Sequence, residues 1–218
     1  MNITIVGTGA MATLFAARLS SVANISMIGS WQAAIDTIHQ DGISIEHDGH
    51  YSGIHTATDP LDAPAADLAI VLVKTYKTDV AAPIAASSLK PDGIALTLQN
   101  GLGNVEILAQ HVGVDRAMLG VTMQGATLLG PGHIRTSGRG ATHLGYLPIE
   151  RAAPRDFSID ARAYELTALL NAAGLPAQVS ADIDGLVWGK VIVNAGINAL
   201  TAILRIPNGA LVESPDTL

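Results

Sequence analysis

The stretch "ITIVGTGAMATLF" (3–15) constrains the fold more than any other part of the sequence. An apolar β-type run meets a Gly-x-Gly-x-x-Ala turn and then a helix-forming segment, all at the start of the chain. In such a strand–turn–helix, Gly7 permits the tight turn and Gly9 lets the backbone approach a pyrophosphate. Ala12 packs the helix on the strand, and the helix N-terminus faces the phosphates. A second β-type run, "NISMIG" (24–29), and a helical stretch over 31–40 complete a βαβα opening. That context turns a weak motif into an expectation of dinucleotide binding. At the end of the second strand, where an acidic residue would hold a ribose 2′-hydroxyl and an arginine a 2′-phosphate, stands Ser30. Serine bonds either group, so this position leaves NAD and NADP open.

The rest of the first half continues the pattern. "GISIEHDGHYSGIHTA" (42–57) alternates on both sides of Asp48–Gly49, a dipeptide suited to a type I′ hairpin, and reads as an antiparallel excursion. "LAIVLVK" (68–74) and "GIALTLQNG" (93–101) are continuous apolar runs, as strands covered on both faces would be. Residues 118–146, rich in Gly and Thr, read as antiparallel strands that extend this parallel sheet. Helices follow. "ERAAPRD" (150–156) reads as a linker, then come a helix over 159–173, a break at Gly174–Pro176 and a long helix over 183–206 stopped by Pro207. The expected fold is α/β: a doubly wound sheet with an antiparallel extension (1–152), then a smaller helical domain (153–218).

Composition excludes several classes of function. The chain has 218 residues, 49% hydrophobic and 14% charged, enough to bury a sizeable core. It contains no cysteine, so disulfides, thiolate nucleophiles and cysteine-ligated zinc are out, and redox chemistry needs a borrowed cofactor. A formal charge of −7 without a Lys/Arg cluster argues against nucleic acid as a partner. No uninterrupted apolar run reaches the roughly 18–20 residues of a membrane helix, and the start lacks a basic leader region. These features together suggest a cytoplasmic protein that acts away from membranes.

Two loops and one helix carry the candidate chemistry. "VKTYKT" (73–78) and "LQNG" (98–101) end consecutive parallel strands, where such sheets form their ligand crevice. There Lys74 could neutralise phosphate or lie along an adenine, against a solvated loop charge as the plain alternative. Asn100 could bond a nicotinamide ribose or a carbonyl compound, against a simple turn role before Gly101. In "WGKVIVNAGINAL" (188–200), Lys190, Asn194 and Asn198 recur every four residues and so share one face of a helix that is otherwise apolar. A helix of this kind is expected to pack between layers. An unpaired buried ammonium is costly, so its presence on that face points to a cavity for a small polar anion or carbonyl compound.

Taken in order along the chain, the Gly-x-Gly-x-x-Ala start, the "VKTYKT" turn, "LQNG", the W-x-K-x-x-x-N-x-x-x-N helix and "IPNG" resemble the ketopantoate reductase (2-dehydropantoate 2-reductase) family. The resemblance implies an NADPH-dependent reductase of pantothenate and coenzyme A synthesis, with a Rossmann-type N-terminal domain, a helical C-terminal domain and dimerisation through the latter. It implies that Lys190 is the general acid that protonates the keto oxygen. Asn194, Asn198 and Asn208 would hold the keto acid substrate, and Asn100 would touch both substrate and cofactor. The backbone of Gly7, Thr8, Gly9, Ala10, Met11 and Ala12, the region of Ala126, and Lys74 would contact NADP(H). Two departures stand out. Ser30 replaces the family's usual arginine, so NADP(H) rests on the resemblance and NAD(H) stays open. Members also continue well past "IPNGALVESPDTL", with helices that bring a substrate-binding serine and a glutamate near the cofactor; the chain is therefore expected to be a truncated form with an incomplete helical domain.

Other residues have plainer readings. His47, His50 and His55 gather on the proposed hairpin as solvated side chains, and no metal is expected. Trp188 is expected to be a buried anchor for its helix. "GPGHIRTSGRG" (130–140) has no helix start after it and reads as turns between strands. The alternatives to a ketopantoate-type reductase are a related 2-keto acid or opine-type dehydrogenase and a non-catalytic dinucleotide-binding sensor.

Overall fold

The structure, a computed structural model, describes residues 1–146 and 161–212. The linker read at 150–156 and the domain boundary at 152 lie outside the described residues. In chain order the elements are β1 (Asn2–Val6), α1 (Ala10–Leu19), β2 (Asn24–Ile28), α2 (Gln32–Asp41), β3 (Ile43–Ile45), β4 (Gly49–Tyr51), β5 (His55–Ala57) and β6 (Ala66–Val71). There follow α3 (Thr78–Ser88), β7 (Leu89–Thr97), α4 (Asn104–Val112), β8 (Ala117–Gly130), β9 (His133–Gly145), α5 (Ala161–Ala172), β10 (Ala177–Val179) and α6 (Ile183–Leu204).

Parallel pairing runs in the order β5-β2-β1-β6-β7-β8, so the sheet winds one way from β1 through β2 and β5 and the other way through β6, β7 and β8. The reversal lies between β1 and β6, the switch point at which a doubly wound sheet opens its crevice. Both faces are covered because successive side chains of each strand point to opposite sides. Ile3 and Ile5 of β1, Leu68 and Ile70 of β6, and Leu96 of β7 are buried on the face that carries α1. Val6, Ala69, Val71 and Ala95 are buried on the face that carries α3 and α4. The α/β doubly wound sheet with an antiparallel extension is therefore observed.

The extension differs in detail from the sequence reading. β8 and β9 form one long antiparallel hairpin, turning only at residues 131–132, so "HIRTS" is strand, in line with the antiparallel reading of 118–146, and only the reading of 130–140 as a run of turns fails. Beyond β9 the sheet continues through β3 and β4, while β10, not foreseen, adds in parallel at residues 142–144. The β3–β4 pair is antiparallel as expected, with Ile45 opposite Gly49. Its turn is Glu46–His47–Asp48, however, and the left-handed residue is His47 (φ 59°) rather than Gly49. An Arg18–Asp48 ion pair and a bond from Arg18 to the Tyr51 hydroxyl clamp this turn onto α1, while Arg135 pairs with Glu46. The second half of the 42–57 stretch leaves the hairpin, and β5 joins the main sheet in parallel beside β2. His47 and His50 are exposed on the hairpin and His55 on β5.

The helical part departs furthest from expectation. α6 is capped by Asp182, which accepts from the Gly185 amide at 2.9 Å, and ends at Arg205 in the left-handed region (φ 55°) before Pro207. Of its 22 residues, only Ile183, Val187 and Thr201 are buried. Trp188 is 49% exposed rather than buried, and Ile192, Val193, Ile203 and Leu204 are exposed with it. The helix is covered along one stripe, from Ile183 and Val187 through the part-buried Lys190, Val191, Asn194 and Ile197 to Thr201, and its other faces are exposed, so it does not lie between layers. By length and composition it is the one helix among the described residues apolar enough to cross a membrane, a property that counting uninterrupted apolar runs overlooked.

Candidate active site

The loops at the carboxyl ends of β1, β2, β6 and β7 surround a cleft of about 940 Å³. Gly7 has φ 129°, and a Cβ there would lie 3.1 Å from the Leu72 carbonyl oxygen, so both backbone and packing demand glycine. At Gly9 a Cβ would meet no protein atom within 4 Å. The fold itself does not require Gly9. What it leaves is open space where a ligand can approach the backbone. α1 begins at that point with no side-chain cap and no acidic residue in its first turn, so its free N–H groups and positive dipole end are available to an anion. A dinucleotide pyrophosphate therefore fits the residues present.

Of the sequence-selected residues, Gly7, Thr8, Gly9, Ala10, Met11, Ser30, Lys74, Asn100 and Ala126 all line this cleft. Ala12 does not. It is fully buried and packs α1 against the sheet, so it serves the turn through packing rather than contact. The cleft also includes Trp31, Thr75, Tyr76, Lys77 and Gln99, which the sequence reading did not assign. The signal for Lys77 was present in "VKTYKT": after Lys74 a 3-10 turn over Thr75–Lys77 keeps the whole segment on the cleft. Among the residues lining the cleft there is no aspartate or glutamate.

Lys190 lies on the adjoining side. It borders a small cavity with Gln99, Asn100, Gly101, Leu119, Gly120, Val121 and Val187, so Gln99 and Asn100 belong to both spaces. Its ammonium donates to the Thr122 carbonyl at 2.6 Å. That carbonyl stands at a register shift in the β8–β9 ladder, between Thr122 and Gln124. A bulge of this kind frees backbone groups from strand pairing. The Thr142 hydroxyl donates to that of Thr122 at 2.8 Å across the same pair. Burial lowers the Lys190 pKa below its ordinary value, because desolvation disfavours the charged amine.

The structure does not bring Asn194, Asn198 and Asn208 to either cavity. They share the helix face or its C-terminal turn as the four-residue spacing implies, but α6 rises by about 1.5 Å per residue, which carries Asn198 roughly 12 Å beyond Lys190. Asn194 is half-buried, while Asn198 and Asn208 are exposed.

A doubly wound sheet whose glycine turn, helix N-terminus and strand-end loops line one cleft has the build of a dinucleotide-binding domain. Residues 3–148 match the family described as ketopantoate reductase PanE/ApbA, and residues 182–218 match its C-terminal counterpart. The chain belongs to the ketopantoate reductase PanE/ApbA family. It is 36% identical to the 2-dehydropantoate 2-reductase of Halobacterium salinarum over 99% of its own length and 69% of the relative's. A D-mandelate dehydrogenase solved with NADH and anilino(oxo)acetate superposes with a TM-score of 0.87 at 26% identity, over 100% of this chain and 69% of that one. A 2-dehydropantoate 2-reductase from Geobacter metallireducens gives 0.86 at 26% identity, over 100% and 70%. The chain thus spans about two thirds of the length of these relatives.

Proposed function

We propose that this protein reduces 2-dehydropantoate to pantoate with NADPH, in the cytoplasmic supply of pantothenate and coenzyme A. The observation that carries the reading is the adjacency of Lys190 to the cleft: a half-buried cation borders the same two residues, Gln99 and Asn100, that line the cleft from the other side. Residues 1–152 act as the dinucleotide-binding domain and 153–218 belong to the helical substrate domain.

A bound reduced nicotinamide supplies a hydride to the keto carbon. The chain supplies the rest. The α1 N-terminus and the Gly7–Met11 backbone hold the pyrophosphate, and the space beside Gly9 admits it closely. Lys74 and Lys77 attract the adenosine end. NADP(H) follows from the family resemblance, and among the described residues lining the cleft no carboxylate stands against a 2′-phosphate. As hydride arrives, negative charge grows on the keto oxygen. Lys190 stabilises that charge and then gives up its proton, a transfer eased by a pKa already lowered by burial. The amide of Asn100 orients substrate and cofactor together, a contribution through position rather than charge. Asn194, Asn198 and Asn208 would extend the substrate surface along α6.

A second reading, an NADH-linked dehydrogenase of other 2-keto acids, is favoured by the likeness to D-mandelate dehydrogenase solved with NADH, and Ser30 is compatible with it. Nicotinamide oxidation with 2-dehydropantoate and with phenylglyoxylate, each with NADPH and NADH, separates the two. The proposal expects 2-dehydropantoate with NADPH to give the highest kcat/KM. A preference for NADH with phenylglyoxylate would replace it by the second reading, and binding of either nucleotide without turnover of any keto acid would favour a sensor.

A further inference from the structure

The loop that carries Asn100 is held by a buried polar clasp whose centre is Asn104. Asn104, the first residue of α4, is 2% exposed. Its side-chain amide donates back to the carbonyls of Asn100 (3.1 Å) and Gly101 (3.4 Å). The chain can fold back in this way because Gly101 and Gly103 adopt φ of 93° and 84°, in the left-handed region that other residues disfavour. From the opposite side, the Thr75 hydroxyl donates to the same Asn100 carbonyl at 2.7 Å. The Thr78 hydroxyl lies 2.8 Å from the side-chain oxygen Oδ1 of Asn104 and receives a bond from Gln99 at 2.9 Å. Gln99 also donates to the Val73 carbonyl at 3.0 Å and accepts from Thr97 at 3.0 Å. The loops after β6 and β7 are thereby joined by side-chain donors that reach across to each other's groups, at the point where the cleft meets the Lys190 cavity.

We propose that Asn104 is a positioning residue that acts on the cofactor cleft through Asn100, by fixing the Asn100 and Gly101 carbonyls against α4 and the Thr75–Thr78 turn. This rests on the reductase reading for its purpose and on the bonds above for its geometry. Buried networks in which each member is satisfied rigidify what they hold, and a misplacement of about 1 Å at a reacting centre is costly. No comparable side-chain network among the described residues ties down the loop ends of β1 and β2.

The test uses Asn104→Asp, which keeps the size and the acceptor but removes both donors, and which a helix N-terminus tolerates. Thr75→Val removes the other bond to Asn100. Each variant is paired with Asn100→Ala in a double-mutant cycle read by the NADPH Kd, by kcat against KM, and by amide exchange over residues 100–103. Asn104→Asp is expected to weaken NADPH binding by about tenfold and to lower kcat further, as loss of buried hydrogen bonds implies. It should speed exchange at Gly101 and Leu102, and its effect on Kd should vanish when Asn100 is already alanine. Thr75→Val should act in the same direction, by about threefold. An equal loss in both backgrounds, or unchanged exchange, overturns the proposal. If the cycle holds but no keto acid is reduced by the unmutated protein, the reductase reading fails while the clasp stands.

Discussion

The two walls of the site are built on different principles. The cleft wall consists of loop ends on a fully covered parallel sheet, cross-tied by the Asn104, Thr78, Gln99 and Thr75 bonds. The α6 wall is a long helix with three buried residues, fixed at the site by the bond from Lys190 to the Thr122 carbonyl. One wall takes its precision from packing that would exist without any ligand. The other depends on a charged side chain reaching a bulge in a neighbouring strand. Nucleotide binding and proton donation should therefore be separable by mutation.

The largest expected contrast is in stability. Leu96→Ala, in the core beneath the cleft, should cost about 2–5 kcal/mol in denaturant unfolding, as deletion of a buried leucine side chain does. A smaller loss would mean that the cleft wall is less tightly packed than it is here. The next effect is on pH. Lys190 must carry its proton in order to donate it, so kcat should be full below its folded pKa and fall about tenfold per pH unit above it. Because burial lowers that pKa, the fall should begin below the ordinary lysine value of 10.5. For the same reason the unfolded chain binds more protons between the two pKa values. Lys190 therefore costs stability below that window, and the cost disappears as pH rises through it. Lys190→Arg should lower kcat at every pH, since arginine keeps the charge but does not release its proton.

Gly9→Ala sharpens the contrast within the cleft wall itself. Nothing in the protein opposes a Cβ there, so the melting temperature should hold while NADPH affinity, measured by titration, falls about tenfold through contact with the pyrophosphate. A fall in stability instead would give Gly9 a structural role. The smallest effect is expected on the open wall. Ile203→Ala, at a site 77% exposed, should change stability by less than about 0.5 kcal/mol.

Pattern made the sheet legible: β1 and β2 grew from short apolar β-type runs, β6 and β7 from runs apolar at nearly every position, and the Gly7 turn announced its own geometry. The polar line on α6 was legible too, since it follows from helix pitch alone. Which part of that line reaches the cavity was not, because that depends on where the helix docks, and only Lys190 arrives there. The Thr122 bulge, the β10 addition and the left-handed His47 arise from tertiary pairing that no local pattern encodes. Trp188 misled for a related reason: the general preference of tryptophan for burial cannot say whether a covering surface is present. Gln99 and Asn104 flank the Asn100 that the motif brought forward, yet their role appears only when two loops distant in sequence are seen to share a hydroxyl.

The central claim is that Lys190 donates the proton at the edge of a cleft that binds the nucleotide independently of it. Lys190→Ala tests this most directly, with NADPH Kd and 2-dehydropantoate turnover measured on the same preparation beside the unmutated protein. The account predicts an unchanged Kd, within about twofold, and a kcat lower by at least about a thousandfold. Turnover retained in the variant, or nucleotide binding lost together with it, would contradict the account.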